Sequence, residues 1–428
     1  MSRLTETLTE FALGELSQAD EARQMMRLSL LDWAAVGIAG AQEPVARITR
    51  DMVLAEGGQG AASVFGCMTR VPARAAALVN GATSHALDYD DTHFAHIGHP
   101  SVAVIPAAMA VAETTGATGA AFLDACLVGV EASIRIGIWL GRGHYQIGFH
   151  QTATAGAFGA TLAAARLLCL SPMQTVHALG IASTRAAGLK SQFGTMGKPY
   201  HAGLAAQTGV EAATLAQAGF ISNPDGLDAP QGFGPTHAGA GDMSALDGLN
   251  AEWWINTISH KFHACCHGTH AMLEALAGVN TPPEAIDQII VTTHPRWMTV
   301  CNNPDPQTGL EVKFSYRHTA AMALSGIDTG ALDSFTDDIA RDPALRALAA
   351  RVQVTADDSI AETATCVRVN GVQYSHDLNA PITLQMRQDK LLSKARALIG
   401  ATTDPLWQAI TSGPDLLFLL PQISSPKA

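Results

Sequence analysis

From the N-terminus to about residue 256, apolar residues recur three and four positions apart through text that is otherwise alanine, glycine and small polar residues. The stretches EARQMMRLSLLDWAAVGIAG, SVAVIPAAMAVAETTG, AAFLDACLVGVEASIRIGIWLG and AGAFGATLAAARLLCL carry so few charges that each predicts a helix buried nearly all round. Small side chains let such helices approach closely, so this half is expected to be an all-helical domain. Ser171 followed by Pro172 predicts an N-cap and first helical residue opening MQTVHALGIASTRAAG.

The pattern changes near residue 260. KFHACCHGTHAMLEALAG reads as a further helix, Ile289–Thr293 as a β-branched strand, and VKFSYRHTAAMALSG and DPALRALAARV as helices. RVQVTADD and ETATCVRVNGVQYSHDL alternate with period two, and Asn370-Gly371 inside the second signals a hairpin turn. The fold is therefore expected to be mainly α: a large all-helical domain over 1–258 and 386–428, plus a smaller α+β lid domain over 259–385. A cleft at their junction is the expected substrate position. The Gly/Pro-dense segment 223–241 is either a lid over that cleft or a plain surface connection.

Composition narrows the function. A chain of 428 residues with 47% apolar and only 15% charged residues buries much of its surface, which favours a homodimer. A net charge of -12 without any Lys/Arg run argues against a nucleic-acid partner. No signal peptide or bilayer-length apolar run is read, so a cytoplasmic protein without a membrane partner is expected. Seven scattered cysteines, none in CxxC spacing, imply neither a disulfide framework nor a zinc ribbon. Small-molecule chemistry remains.

Four polar clusters could carry it. The densest, NGATSHALDYDDTHFAHIGHPS at 80–101, holds Asp88, Asp90, Asp91, His85, His93, His96 and His99. Titratable groups are costly to crowd unless they are paired or used. Asp88 and Thr92 would share a helix face if the helix from Ala73 continued that far. His99-Pro100-Ser101 is expected to open the next helix, where the positive end of the dipole keeps an imidazole neutral and available as a base. The bland alternative is that Asp88 and Asp91 only cap helix ends. His93, His96 and His99 recur every third residue, but Gly98 and Pro100 disfavour the regular helix a zinc site would want, so no metal is expected.

In FGTMGKPYHAG, Lys198 is the motif's only cation and, preceding proline, is expected to be extended. A lysine there either lies along the surface or grips a carboxylate and so acidifies the neighbouring C–H. GRGHYQIGFHQT offers Tyr145 and His150 in a Gly-rich turn, and KFHACCHGTH offers Cys266 and His267.

In this order and spacing, NGATSHALDYDDTHFAHIGHPS, FGTMGKPYHAGLAAQTGVEAATLAQAGF, KFHACCHGTH and EVKFSYRH resemble the MmgE/PrpD family over nearly the whole chain. That family includes 2-methylcitrate dehydratase, cis-aconitate decarboxylase and iminodisuccinate epimerase. The resemblance implies a helical domain with an α+β lid, usually dimeric, acting on small carboxylates without metal or organic cofactor. By position it implies catalytic roles for Lys198, Tyr145, His99, Asp88 and His267. It implies substrate contacts from Thr92, Asp91, His85, His150, Met196, Cys266 and Tyr316. The implied activity is a lyase or isomerase removing a proton next to a carboxylate of a di- or tricarboxylate. Dehydratase- or epimerase-like chemistry leads; a cis-aconitate-type decarboxylase or a non-catalytic carboxylate binder is the alternative.

Overall fold

The computed structural model describes residues 2–412 and is mainly α. It divides into two compact units: residues up to His260 together with the chain from Ile399, and Lys261–Leu398.

The first unit is built from α1 (Arg3–Leu13), α2 (Asp20–Gly40), α3 (Pro44–Glu56), α4 (Ala73–Ser84), α5 (Ser101–Thr115), α6 (Gly119–Ile147), α7 (Gln151–Leu167), α8 (Pro172–Arg185) and α9 (Gly197–Gln217). Ser171 caps α8 in a full capping box with Gln174, as its sequence predicts. The unit is not purely helical. Ala62–Val64 and Cys67–Val71 form a short antiparallel hairpin, β1–β2, too brief and irregular to leave a period-two signal.

α7 is buried along almost its whole length and packs against α5, α6 and α9. Two glycine contacts set spacings that matter for the site. A Cβ on Gly81 of α4 would lie 2.7 Å from the Cα of Gly203 in α9, and one on Gly156 of α7 would lie 2.6 Å from the Ala103 methyl of α5. Only glycine allows these backbones so close. The segment 223–241 is pinned rather than loose: Leu227 and Phe233 are buried, and Ala240 and Gly241 donate to the carbonyls of Leu140 and Trp139.

In the second unit, β3 (Ile289–Thr293) pairs parallel with β4 (Val352–Ala356) and antiparallel with β5 (Ala364–Val369), which turns through Asn370-Gly371 into β6 (Val372–Asp377). Both turn residues have positive φ, 48° and 85°, as the Asn-Gly signal requires. The helix expected over KFHACCHGTHAMLEALAG is shorter, its regular turns beginning at His267–Thr269 and continuing through His270–Leu276. Ahead of it the amides of Ala264 and Cys266 donate across to the carbonyls of Thr329 and Lys313 instead of along a helix. Helix Leu384–Ile399 belongs to this unit up to Leu398, and its Lys390 pairs with Glu274. Residues 386–398 therefore do not join the helical domain as expected. Among the described residues, no helix is long and apolar enough to cross a membrane.

Candidate active site

α4 stops at Ser84, and this corrects the first expectation: Asp88 and Thr92 share no helix face. The chain leaves the helix through His85, and Asp88 takes a φ of 49°, a left-handed conformation that Asp enters more readily than most residues. The loop ends at Ile97, whose φ of 55° is unusual for a β-branched side chain. His99 and Pro100 then lead into α5, as the sequence predicts. Thr92 pairs through its backbone and hydroxyl with Ser259.

Three helices bring their N-termini to the loop. His99 lies two residues before α5, and its amide donates to the Thr152 hydroxyl of α7. His150 is the N-cap of α7. Lys198 is the second residue of α9. It is helical, not extended as expected, because Pro199 falls in the first turn, where a missing N–H costs nothing. Converging N-termini direct positive dipole ends toward one place, which favours an anion there.

The side chains form one connected series. Lys198 Nζ lies 2.8 Å from Asp88 Oδ2, and Asp88 Oδ1 lies 3.4 Å from His99 Nε2. His99 Nδ1 lies 2.8 Å from Asp90 Oδ2, and His85 Nδ1 lies 2.9 Å from Asp90 Oδ1. Side-chain exposure peaks at Asp88, 51%, against 17% at Lys198, and drops to 10% at His99 and 1% at Asp90, so the network meets solvent at its Asp88–Lys198 end. Burial would raise the Asp90 carboxyl, but the charges and hydrogen bonds of His85 and His99 outweigh it and hold Asp90 well below the usual carboxylate range. His150 packs against the same rings: its centroid is 6.1 Å from His85 and 5.5 Å from His201, with its Nδ1 3.2 Å from that of His201. Burial, then the nearby charges of His85, Lys198 and His99, push His150 well below its ordinary value and keep it neutral. Phe193 closes one side, edge-on to His150 and within 5.4 Å of the Lys198 ammonium.

Other sequence candidates are used differently. Asp91 is buried and accepts from the hydroxyl of Ser101, anchoring the first turn of α5. Burial, reinforced by the charge of Asp32, raises its carboxyl to about 7. Met196 is exposed at the start of α9. Tyr145 sits on the last turns of α6, its ring 3.8 Å beneath the Lys190 ammonium and its carbonyl accepting from the same group at 3.2 Å. In the second unit, Cys266 and His267 stand at the start of the short helical turn, with the His267 ring 4.9 Å from His270. Tyr316 is buried there, donating to the Gly268 carbonyl at 2.8 Å and contacting Thr293, so it braces that turn rather than presenting a hydroxyl to a ligand.

His93, His96 and His99 do not converge. His93 Nε2 bonds to Thr257 and to the Trp254 carbonyl, while His96 is buried against Gly137 and pushed down to about 3 by burial. The one group among the described residues with metal-like spacing is His85, Asp88, Asp90 and His99, whose donor atoms lie within 4.8 Å of one another. These donors are already engaged with each other and with Lys198. Asp90 is the residue that the sequence placed in the cluster without assigning it a role: within DYDD nothing distinguishes it from its neighbours. A separate surface cleft of about 760 Å³ lined by Leu13, Asp124, Arg166 and Cys169 shares no residue with the network. Its Arg166 is bound to the carbonyls of Ala12 and Gly14.

The fold and the network together define a mainly helical protein with a His/Asp/Lys acid–base cluster at an anion-favouring convergence of helix ends. The MmgE/PrpD N-terminal domain matches residues 2–246 and the MmgE/PrpD C-terminal domain matches residues 263–405, so the chain belongs to the MmgE/PrpD family. A cis-aconitate decarboxylase-like protein of Aspergillus oryzae is 31% identical over 64% of this chain, which spans 62% of that relative's length. The cis-aconitate decarboxylase of Homo sapiens is 29% identical over 78% of this chain and 72% of its own, and that of Aspergillus terreus 28% identical over 88% and 84%. Family and relatives point to a lyase-type enzyme.

Proposed function

We propose that this chain is a lyase acting on a small di- or tricarboxylate, with Lys198 and His99 as its central groups. The observation that carries the reading is the Lys198–Asp88–His99 series, at hydrogen-bonding distances and opening to solvent at Asp88. A substrate carboxylate that meets the Lys198 ammonium has its charge neutralised. That lowers the cost of placing an electron pair on the adjacent carbon, whether the pair comes from a departing proton or from a departing carboxylate. His99 Nε2, in neutral form, takes a proton from carbon; as imidazolium, with Asp88 and Asp90 on its two sides, it returns one. Asp88 holds the ammonium in place before substrate arrives. His150, kept neutral, contributes a hydrogen-bonding ring without adding repulsion to the cation nearby.

Decarboxylation of a cis-aconitate-type acid is the first activity to assay, because the relatives carry that name. Dehydration of 2-methylcitrate and epimerisation of iminodisuccinate make the same demand for a stabilised carbanion and belong in the same panel. The test is incubation of the purified protein with these acids in heavy water, following carbon dioxide release, water loss and deuterium at the carbon next to the carboxylate. Turnover of one acid, unaffected by chelator, is expected. Tight binding of an acid with neither turnover nor exchange would make the protein a carboxylate binder.

A further inference from the structure

We propose that Asp90 is a positioning residue that fixes both His85 and His99 as Nδ1–H tautomers, so that His99 presents an unprotonated Nε2 to Asp88 and Lys198. An ionised carboxylate only accepts, so the His85 Nδ1 that hydrogen-bonds it carries a proton, and the His99 Nδ1 in ion-pair contact with it at 2.8 Å is assigned one as well. Asp90 meets the Nδ1 of both rings, His85 through both oxygens at 2.9 and 3.1 Å and His99 through Oδ2 at 2.8 Å, so a single buried charge bears on two tautomers. A neutral imidazole with its proton on Nδ1 has its lone pair on Nε2. In His99 that nitrogen is the one 3.4 Å from Asp88, so the contact becomes a donated hydrogen bond only after His99 takes up a second proton.

Two further observations support this arrangement. The Asp90 carboxyl stays ionised although buried, because the two imidazoles outweigh the burial. The far nitrogen of His85, Nε2, is buried and makes no hydrogen bond. His85 instead lies edge-on to His99 at 4.5 Å, closing the far side of Asp90 so that no water need solvate the carboxylate. The titratable groups facing His99 are His85 at the end of α4, Asp88, Asp90 and His96 in the loop, and His150 at the start of α7, with Lys198 of α9 acting through Asp88.

The catalytic meaning of this tautomer rests on the lyase reading above; the tautomer itself does not. Its test is therefore spectroscopic first. Nitrogen-15 NMR of histidine-labelled full-length protein at pH 8, assigned with His85→Gln and His99→Gln variants, is expected to show protonated Nδ1 and bare Nε2 at both positions. The opposite tautomer at His99 in the wild-type protein overturns the proposal, and this measurement stands even if the next variant fails to fold. Asp90→Asn has one acceptor oxygen and an amide that must donate, so one of the two rings is expected to switch to Nε2–H. With a turned-over acid, Asp90→Asn is expected to lower kcat about 100-fold with KM within about threefold. The acid limb of its kcat/KM profile is expected to move to lower pH, because a neutral amide no longer stabilises the imidazolium. Unchanged tautomers and an unchanged profile in a folded Asp90→Asn overturn the proposal. A wild-type protein that turns over no acid yet shows both Nδ1–H tautomers removes the lyase reading and leaves the Asp90 assignment in place.

Discussion

Two regions of this chain concentrate histidine, and they are built on opposite principles. Around Asp90, imidazoles alternate with carboxylates and a lysine, and the series reaches solvent at Asp88, half-exposed. Around His270, histidines and thiols are packed with neutral partners: His270 Nε2 meets the Cys265 carbonyl, Cys265 contacts Thr269, and Cys301 is fully buried. Burial, then the charges of His267, His263 and Lys261, push His270 well below its ordinary value, while burial raises Cys265 to about 12. Both groups are thus locked in their neutral forms at physiological pH. At that locus the ion pairs of Glu274 with Lys390 and His263 hold its carboxyl down to about 2 although burial opposes it, a fixed charge rather than a poised one. Density of titratable residues therefore does not by itself single out a candidate site.

The comparison breaks most sharply at Lys198. Lys198→Ala removes the cation that faces Asp88 and the site's opening, and it is expected to lower kcat/KM by about 1000-fold or more with the unfolding transition preserved. Near-normal turnover in the folded variant, measured by initial rates, removes the acid–base reading of the first region. Next in size, His99→Gln keeps the ring's volume approximately but cannot exchange a proton, and a loss of about 100-fold in kcat is expected. Because the loss is of proton transfer and not of binding, KM should move little.

How far these residues were readable from sequence differs with the physics involved. Caps and turns are local, so Ser171-Pro172 and Asn370-Gly371 announced their structures correctly. The end of α4 was not readable, because Ala86 and Leu87 continue the helical pattern, and only the left-handed Asp88 redirects the chain toward His99. Lys198 before proline was misread as extended because a proline in a first helical turn lacks the penalty it carries deeper in a helix. Asp88, Asp90 and Asp91 are nearly adjacent, yet one opens to solvent, one bridges two imidazoles and one anchors α5. Those fates depend on residues 5 to 110 positions away, the farthest brought close by glycine contacts that no periodicity records.

The second region should answer on stability instead of rate. Cys301→Ala deletes a fully buried sulfur whose neighbours include Gly268 and Trp297. It is expected to destabilise the protein by about 1–2 kcal/mol in chemical denaturation, with kcat unchanged within about twofold. A large loss of rate with normal stability would place chemistry at that locus and erase the contrast with the first.

The smallest expected effect lies within the first region's own sequence and separates the aspartate that anchors α5 from the two in the His/Lys network. The Asp91 carboxyl is raised to about 7 by burial and by the charge of Asp32, far above its value in an unfolded chain. Folding therefore takes up a proton there, and the contribution to stability is fully present below about pH 4 and lost as pH rises through about 7. Asp91→Asn is neutral in both states and can still accept from Ser101 through its remaining oxygen. Its denaturation midpoint is expected to equal or exceed that of the wild type at pH 8, by about 1 kcal/mol after some loss of hydrogen-bond quality, and to lose that advantage on acidification toward pH 4. Buried neutral imidazoles, His93 at about 4 and His96 at about 3, act oppositely, since stability they confer is present above about 6.5 and lost as pH falls. The difference between variant and wild type across pH isolates Asp91 from that shared background. A variant less stable than wild type at pH 8 but equal at pH 4 would mean that Asp91 folds as the carboxylate, and that the charge at the root of α5 is part of the network it adjoins.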